Sequence, residues 1–189
     1  MKGCRSYTVL CEDAQSACFI RRFLAKKSHI NSRRDIYEKQ APSGQGCGEQ
    51  WVRERFPQEL EHARKHGTNL IVCLDADKET VRGRIRRLEL ECEKQKIVPR
   101  KKADSVAFIL PKRNIETWLE YLITGGPVDE EHDYAGPSSH RADSNKCEPA
   151  ARKLNALCTG LRGTPPQNPP VPFPDSLEKA CIEAKLVGL

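Results

Sequence analysis

Residues 69–80 read NLIVCLDADKET, an unbroken apolar run that ends in two carboxylates one residue apart. A strand with no polar alternation must be covered on both faces, which places it inside a parallel sheet rather than at a solvated surface. Beyond it Val81, Ile85, Leu88 and Cys92 recur at helical spacing, with arginines on the other faces. The same unit occurs on either side. SYTVLC (6–11) leads into a helix bearing Ala17, Ile20, Phe23 and Leu24, and RDIYEKQ (34–40) leads through the turn-rich PSGQGCGE into a helix around 57–65. SVAFIL (105–110) leads into one marked by Ile115, Trp118, Leu119 and Leu122. The alternation predicts an α/β fold: a four-stranded, mainly parallel sheet with helices on both faces.

After Thr124 the sequence turns polar, and TPPQNPPVPFP (164–174) carries six prolines. Residues 1–123 are therefore read as the α/β domain and 124–189 as a helical, proline-rich C-terminal extension. Its helices are expected at 148–161 and 176–187, the second with Asp175 and Glu178 spaced as a capping box. Leu154, Leu157, Leu161 and Leu177 are expected to pack the extension on the sheet.

At 189 residues, 38% hydrophobic and 31% charged, the chain suits one ordinary core. No stretch approaches the roughly 20 apolar residues of a membrane-spanning helix. Glu12 and Asp13 stand where a secretory leader would carry its apolar segment, so the reading expects a cytoplasmic protein without membrane contact. Nine cysteines, none in C-x-x-C spacing and several within apolar runs, are expected to be reduced and packed. His62 and His66, at helical spacing, are expected on a solvated face.

The formal charge of +6 is concentrated between Lys78 and Lys102, where ten basic residues face only Glu79, Glu89, Glu91 and Glu93. Arg82, Arg84, Arg86, Arg87, Arg100, Lys101 and Lys102 are thus candidates for a nucleic-acid backbone. A solvated helix followed by a basic loop fits the same run equally well.

In an open parallel sheet ligands gather beyond the carboxyl ends of the strands. Here those ends carry Glu12 and Asp13, then Asp75 and Asp77, then Glu116 at the start of a helix. Grouped like charges call for a cation or for raised pKa values, and hard oxygen ligands suit Mg²⁺ or Mn²⁺. Each acid also has a local reading, since Asp is a good helix cap. Lys112 and Arg113 stand beside the acids, placed to bind a phosphate oxygen or to form a surface ion pair. The glycine-rich SGQGCG (43–48) is expected as a turn at the mouth of the site, and His132, Tyr134 and His140 as residues of a polar surface loop.

VLCEDAQSACFIRRFL, LIVCLDADKET and FILPKRNIETWLEYL together resemble a TOPRIM domain over residues 6–123, closest to the small OLD-like nucleases. The resemblance implies Mg²⁺ or Mn²⁺ held by Glu12, Asp75, Asp77 and Glu116. The family's first motif places Gly where Asp13 stands and Asp where Ser16 stands, so Asp13 would have to substitute as a ligand. It implies a metal-dependent nuclease with Glu12 as general base and Arg113 or Lys112 stabilising the transition state. It also implies work beside a separate ATPase in bacterial anti-phage defence. Homo-oligomerisation stays open, and the alternative is a non-catalytic subunit whose basic segment docks nucleic acid or a partner protein.

Overall fold

The computed structural model describes residues 6–42, 48–135, 143–160 and 171–189. In chain order the elements are β1 (Tyr7–Cys11), α1 (Ala14–Leu24), β2 (Ile36–Gln40), α2 (Gly48–His66), β3 (Asn69–Cys73), α3 (Val81–Lys94), β4 (Val106–Ile109), α4 (Ile115–Thr124), α5 (Ser144–Gly160) and α6 (Asp175–Ala184). A short 3₁₀ turn, Lys185–Val187, follows α6. The four strands form one sheet in the order β2-β1-β3-β4, and all three pairings are parallel. This is a Rossmann-like α/β arrangement.

Side-chain alternation sorts the core into two layers. Val9, Cys11, Ile71, Cys73, Ala107 and Ile109 face α1, α4, α5 and α6. Leu10, Leu70, Val72, Leu74, Val106, Phe108 and Leu110 face α2 and α3. The chain moves outward from β1 to β2 and then back past β1 to β3. Right-handed crossovers therefore put α1 on one face and α2 on the other. The reversal leaves a crevice between β1 and β3 at their carboxyl ends, the place where such sheets take ligands.

The outer edge of β4 is covered, which removes a template for pairing with another chain. Phe108 N donates to Glu183 on α6 at 3.0 Å, and Arg100 Nη1 donates to Val106 O at 3.2 Å. Arg100 and Glu183 form an ion pair, with the guanidinium 4.1 Å above the Phe108 ring.

Several boundaries differ from the sequence reading. β2 begins at Ile36 because Asn31 to Asp35 close a turn, in which the Asp35 carboxylate accepts Asn31 N at 2.8 Å. α2 begins at Gly48 rather than near Pro57, which lies inside it. Val52, Phe56, Leu60 and Ala63 form one buried stripe across the proline, and that burial outweighs the backbone hydrogen bond it removes. The Asp175/Glu178 capping box does not form: Pro174 is the cap residue and makes no side-chain cap bond. Glu130 does the capping from another segment, accepting Ser176 N at 3.2 Å together with the Ser176 hydroxyl.

Leu154 and Leu177 lie in the same core as α1 and the sheet, with Leu157 partly buried against it, and Leu161 lies outside the described residues. Cys11, Cys73, Cys92 and Cys147 are buried free thiols and Cys18 is a half-buried one. Cys181 is disulfide-bonded, which corrects the expectation of uniformly reduced cysteines. His62 and His66 are exposed, their ring centroids 4.4 Å apart. Among the described residues no helix is long and apolar enough to cross a membrane.

Because α4, α5 and α6 share a core with the sheet, the fold is expected to unfold as one unit. Leu177→Ala should cost about 2–5 kcal/mol, read as a lower urea midpoint. Trp51 and Trp118, on opposite faces of the sheet, should report the same transition as circular dichroism. Two separated transitions would mean that the C-terminal helices form an independent unit.

Candidate metal centre

The parallel register sets Cys11 opposite Cys73, so Glu12, one residue past β1, and Asp75, two residues past β3, emerge on one rim. Glu12 Oε1 accepts the backbone N–H of Asp75 at 2.5 Å, tying the ends of β1 and β3 together. Asp13 is the N-cap of α1, its Oδ1 accepting Ser16 N at 2.7 Å, so the capping role holds for this residue. It does not hold for Asp75 or Asp77, because Thr80 caps α3. One carboxylate oxygen from each of Glu12, Asp13 and Asp75 lies within 4.8 Å of the other two. These three carboxylates are the residues that would hold a divalent ion with oxygen ligands.

The buried state of Asp75 gives this cluster its chemistry. Asp75 Oδ1 is inaccessible to solvent and has no hydrogen-bond partner among the described residues. Burial, reinforced by the charges of Glu12 and Asp13, holds its carboxyl well above the usual carboxylate range. Glu12 is pushed up to about 8, chiefly by burial, with the Asp75 N–H and Arg84 opposing and Asp13 and Asp77 adding to the rise. Glu116, in the first turn of α4, is raised by burial and by Asp13 and Asp133. Burial and mutual repulsion favour the protonated form of these groups, and a cation among them would favour the ionised form. The all-oxygen donor set and the orphaned Asp75 oxygen fit a hard divalent ion such as Mg²⁺ or Mn²⁺.

The remaining acids stand further out. Asp77 lies outside the three-oxygen group, with its side chain 55% exposed and its backbone in the left-handed region at φ 56°. Its Oδ2 is 3.4 Å from Arg84 and its Oδ1 3.9 Å from Arg113. Glu116 also lies outside the group, yet close enough for its charge to raise Asp75.

Two features of the site escaped the sequence reading. Arg84 is buried, reaching Glu49 at 3.0 Å and Ala76 O at 3.1 Å as well as Asp77. It joins the first turn of α2 to the loop after β3. Its position three residues after Val81 and four before Leu88 places it on the apolar stripe of α3, a signal that was available. Asp133 is the second, accepting from Arg113 Nη2 at 3.2 Å and from Asn114 Nδ2 at 2.6 Å. Of the glycine-rich segment, 43–47 lies outside the described residues, as does His140. Gly48 abuts the site, since a Cβ there would meet Glu12 O at 2.8 Å. His132 is exposed, its ring packed on Tyr134.

The basic run does not form one free surface. Arg84 is buried among acids, Arg87 pairs with Glu79 at 2.7 Å, Arg86 with Glu93 at 3.0 Å, and Arg100 with Glu183. Arg82, Lys101 and Lys102 are exposed and carry no ion pair among the described residues. Arg82 opens α3 at the carboxyl rim, whereas Lys101 and Lys102 precede β4 at the amino ends of the strands. The expectation of a single basic patch is corrected accordingly: sequence neighbours are separated by the length of the fold. Lys112 pairs with Glu131 at 2.9 Å.

Comparison with family models, with curated proteins and with solved structures finds no match to this chain.

The raised carboxylates predict a pH dependence of stability. A carboxyl whose folded pKa lies above its unfolded value of about 4.3 stabilises the fold less as pH rises through that interval. The metal-free protein should therefore lose thermal stability from about pH 5 to above 8, the upper end set by Glu12. Glu12→Gln should flatten the slope, and Mg²⁺ should restore stability at pH 8.5. A melting temperature that rises over this interval without metal would contradict the assignment.

Proposed function

We propose that the chain is a Mg²⁺- or Mn²⁺-dependent nuclease hydrolysing phosphodiester bonds of DNA or RNA at the Glu12/Asp13/Asp75 cluster. The observation that carries this reading is the buried, partnerless Asp75 Oδ1 beside two further carboxylate oxygens, at the winding reversal of the sheet. Glu12, Asp13 and Asp75 would hold the ion, with Asp77 and Glu116 near enough to shape its field. Such an ion, when bound, supplies Lewis acidity toward a phosphoryl oxygen and lowers the pKa of a coordinated water.

The protein groups divide the remaining work. Glu12 accepts the proton of the attacking water. Arg113 and Lys112, at the carboxyl end of β4, offset charge on the phosphate in the transition state. Arg82 lies on the same rim, available to the backbone beyond the scissile bond. The resemblance of the strand-end motifs to TOPRIM domains supports the same reading, and with it a place beside a separate ATPase in anti-phage defence.

One feature favours a second reading. Ser16 stands where the resembling family has an acid, its hydroxyl buried and without a hydrogen-bond partner among the described residues. A non-catalytic subunit that binds nucleic acid or a partner protein would follow if the three carboxylates sufficed for binding but not for turnover.

Cleavage of labelled single- and double-stranded DNA and structured RNA, with Mg²⁺ or Mn²⁺, separates the two. The wild type should cut at least one substrate, chelation should stop it, and Asp75→Asn and Glu12→Gln should each lower the rate by about 10³-fold or more. Absence of metal-dependent cutting, also with a partner ATPase added, would favour the non-catalytic subunit.

A further inference from the structure

The segment between α4 and α5 carries Asp129, Glu130, Glu131 and Asp133 within five residues. Its acids are not scattered into solvent. Glu131 meets Lys112 at 2.9 Å, while Asp133 meets Arg113 Nη2 at 3.2 Å and Asn114 Nδ2 at 2.6 Å. Three consecutive residues that leave β4 toward the carboxylate rim are thus each engaged by a carboxylate of one loop. The layering has a direction: side-chain exposure is 25% for Lys112 and 22% for Arg113, against 69% for Glu131 and 51% for Asp133. The cations lie beneath and the anions cover them from outside. Asp133 is held below the usual carboxylate range by the Ala135 N–H, and by Arg113 and Asn114, so it is a full anion.

The donors form a face suited to a phosphate. Arg113 also stands 3.9 Å from Asp77, which places this face beside the metal centre. Asn114 cannot turn away, because its Oδ1 accepts from Thr117 N and Oγ1 as the cap of α4, leaving Nδ2 to point outward. The loop is hinged on contacts separate from this face. Glu130 is bonded to Ser176, which in turn accepts Trp118 Nε1 at 2.8 Å, and Tyr134 OH accepts Asp129 N at 3.1 Å. The outer pairs are exposed enough to be displaced at little cost.

We propose that the loop 129–135 is an internal competitor of the polyanionic ligand, with Glu131 and Asp133 occupying on Lys112, Arg113 and Asn114 the place of a substrate phosphate. The proposal rests on the phosphodiester reading of the neighbouring centre, but it is tested by binding, which can succeed or fail independently of turnover. The probe is a 5′-phosphorylated, fluorescein-labelled 12-mer, single- and double-stranded, read by anisotropy in Ca²⁺ at two salt concentrations.

Glu131→Gln/Asp133→Asn keeps the shape of both side chains and removes their charge. It should bind about tenfold more tightly than wild type. Adding Lys112→Ala/Arg113→Ala should abolish the gain. Glu54→Gln/Glu61→Gln, which removes the same charge from the exposed face of α2, should change affinity less than twofold. Equal or weaker binding by the loop variant would overturn the proposal. So would a gain that survives loss of Lys112 and Arg113, or one matched by the α2 variant. A gain in binding from a chain that does not cut would leave the competitor standing and remove only the nuclease.

Discussion

The parallel register of β1 against β3 is the constraint on which the site depends. Pairing Cys11 with Cys73 sends two backbone turns off the same rim and forces Glu12 and Asp75 together, with the N–H of one residue bonded to the carboxylate of the other. A shift of one residue would exchange the β3 side chains between the two core layers, so the packing of both layers enforces the register. The core therefore sets the spacing of the carboxylates. Their mutual repulsion in a buried setting is met by protons, by Arg84 at short range, and by a cation if one binds.

Arg84 also explains how the surroundings stay ordered under this repulsion. It ties α2 through Glu49 to the loop that carries Asp77, while Arg53 and Arg87 extend the same network to Glu91 and Glu79. A buried guanidinium is costly unless its donors are met. Glu49 of α2, Asp77 and Glu79 of the loop after β3, and the Ala76 carbonyl surround it, while its Nε makes no hydrogen bond among the described residues. Much of the charge excess concentrated between Lys78 and Lys102 is thus spent inward, on holding α2 to α3. It is not held in reserve as one outward patch.

What could be read in advance was local. Apolar runs identified β1, β3 and β4, whereas the mostly polar RDIYEKQ was a weaker sign of β2. The apolar stripes of α1, α3 and α4 marked their helices because period alone decides such elements. The acids at strand ends were legible for the same reason: their position follows from where the strands stop. Pairings distant in sequence stayed hidden. Glu130 caps α6, Glu183 seals β4 and Asp133 sits on Arg113, each joining segments at least 20 residues apart. Pro57 misled because local propensity argues for a helix start, whereas tertiary burial continues the helix through it. Lys101 and Lys102 were grouped with Arg82 because they are near in sequence, but the chain crosses the whole sheet between them.

The direct test of the centre is metal binding itself, measured by Mn²⁺ titration with electron paramagnetic resonance on the wild type and on Asp75→Asn. A saturable site with a dissociation constant below about 1 mM, lost in Asp75→Asn and tightening from pH 6 to pH 8.5 as Glu12 ionises, is the result that follows from the buried cluster. Wild-type binding that is absent, or that Asp75→Asn leaves unchanged, would contradict it.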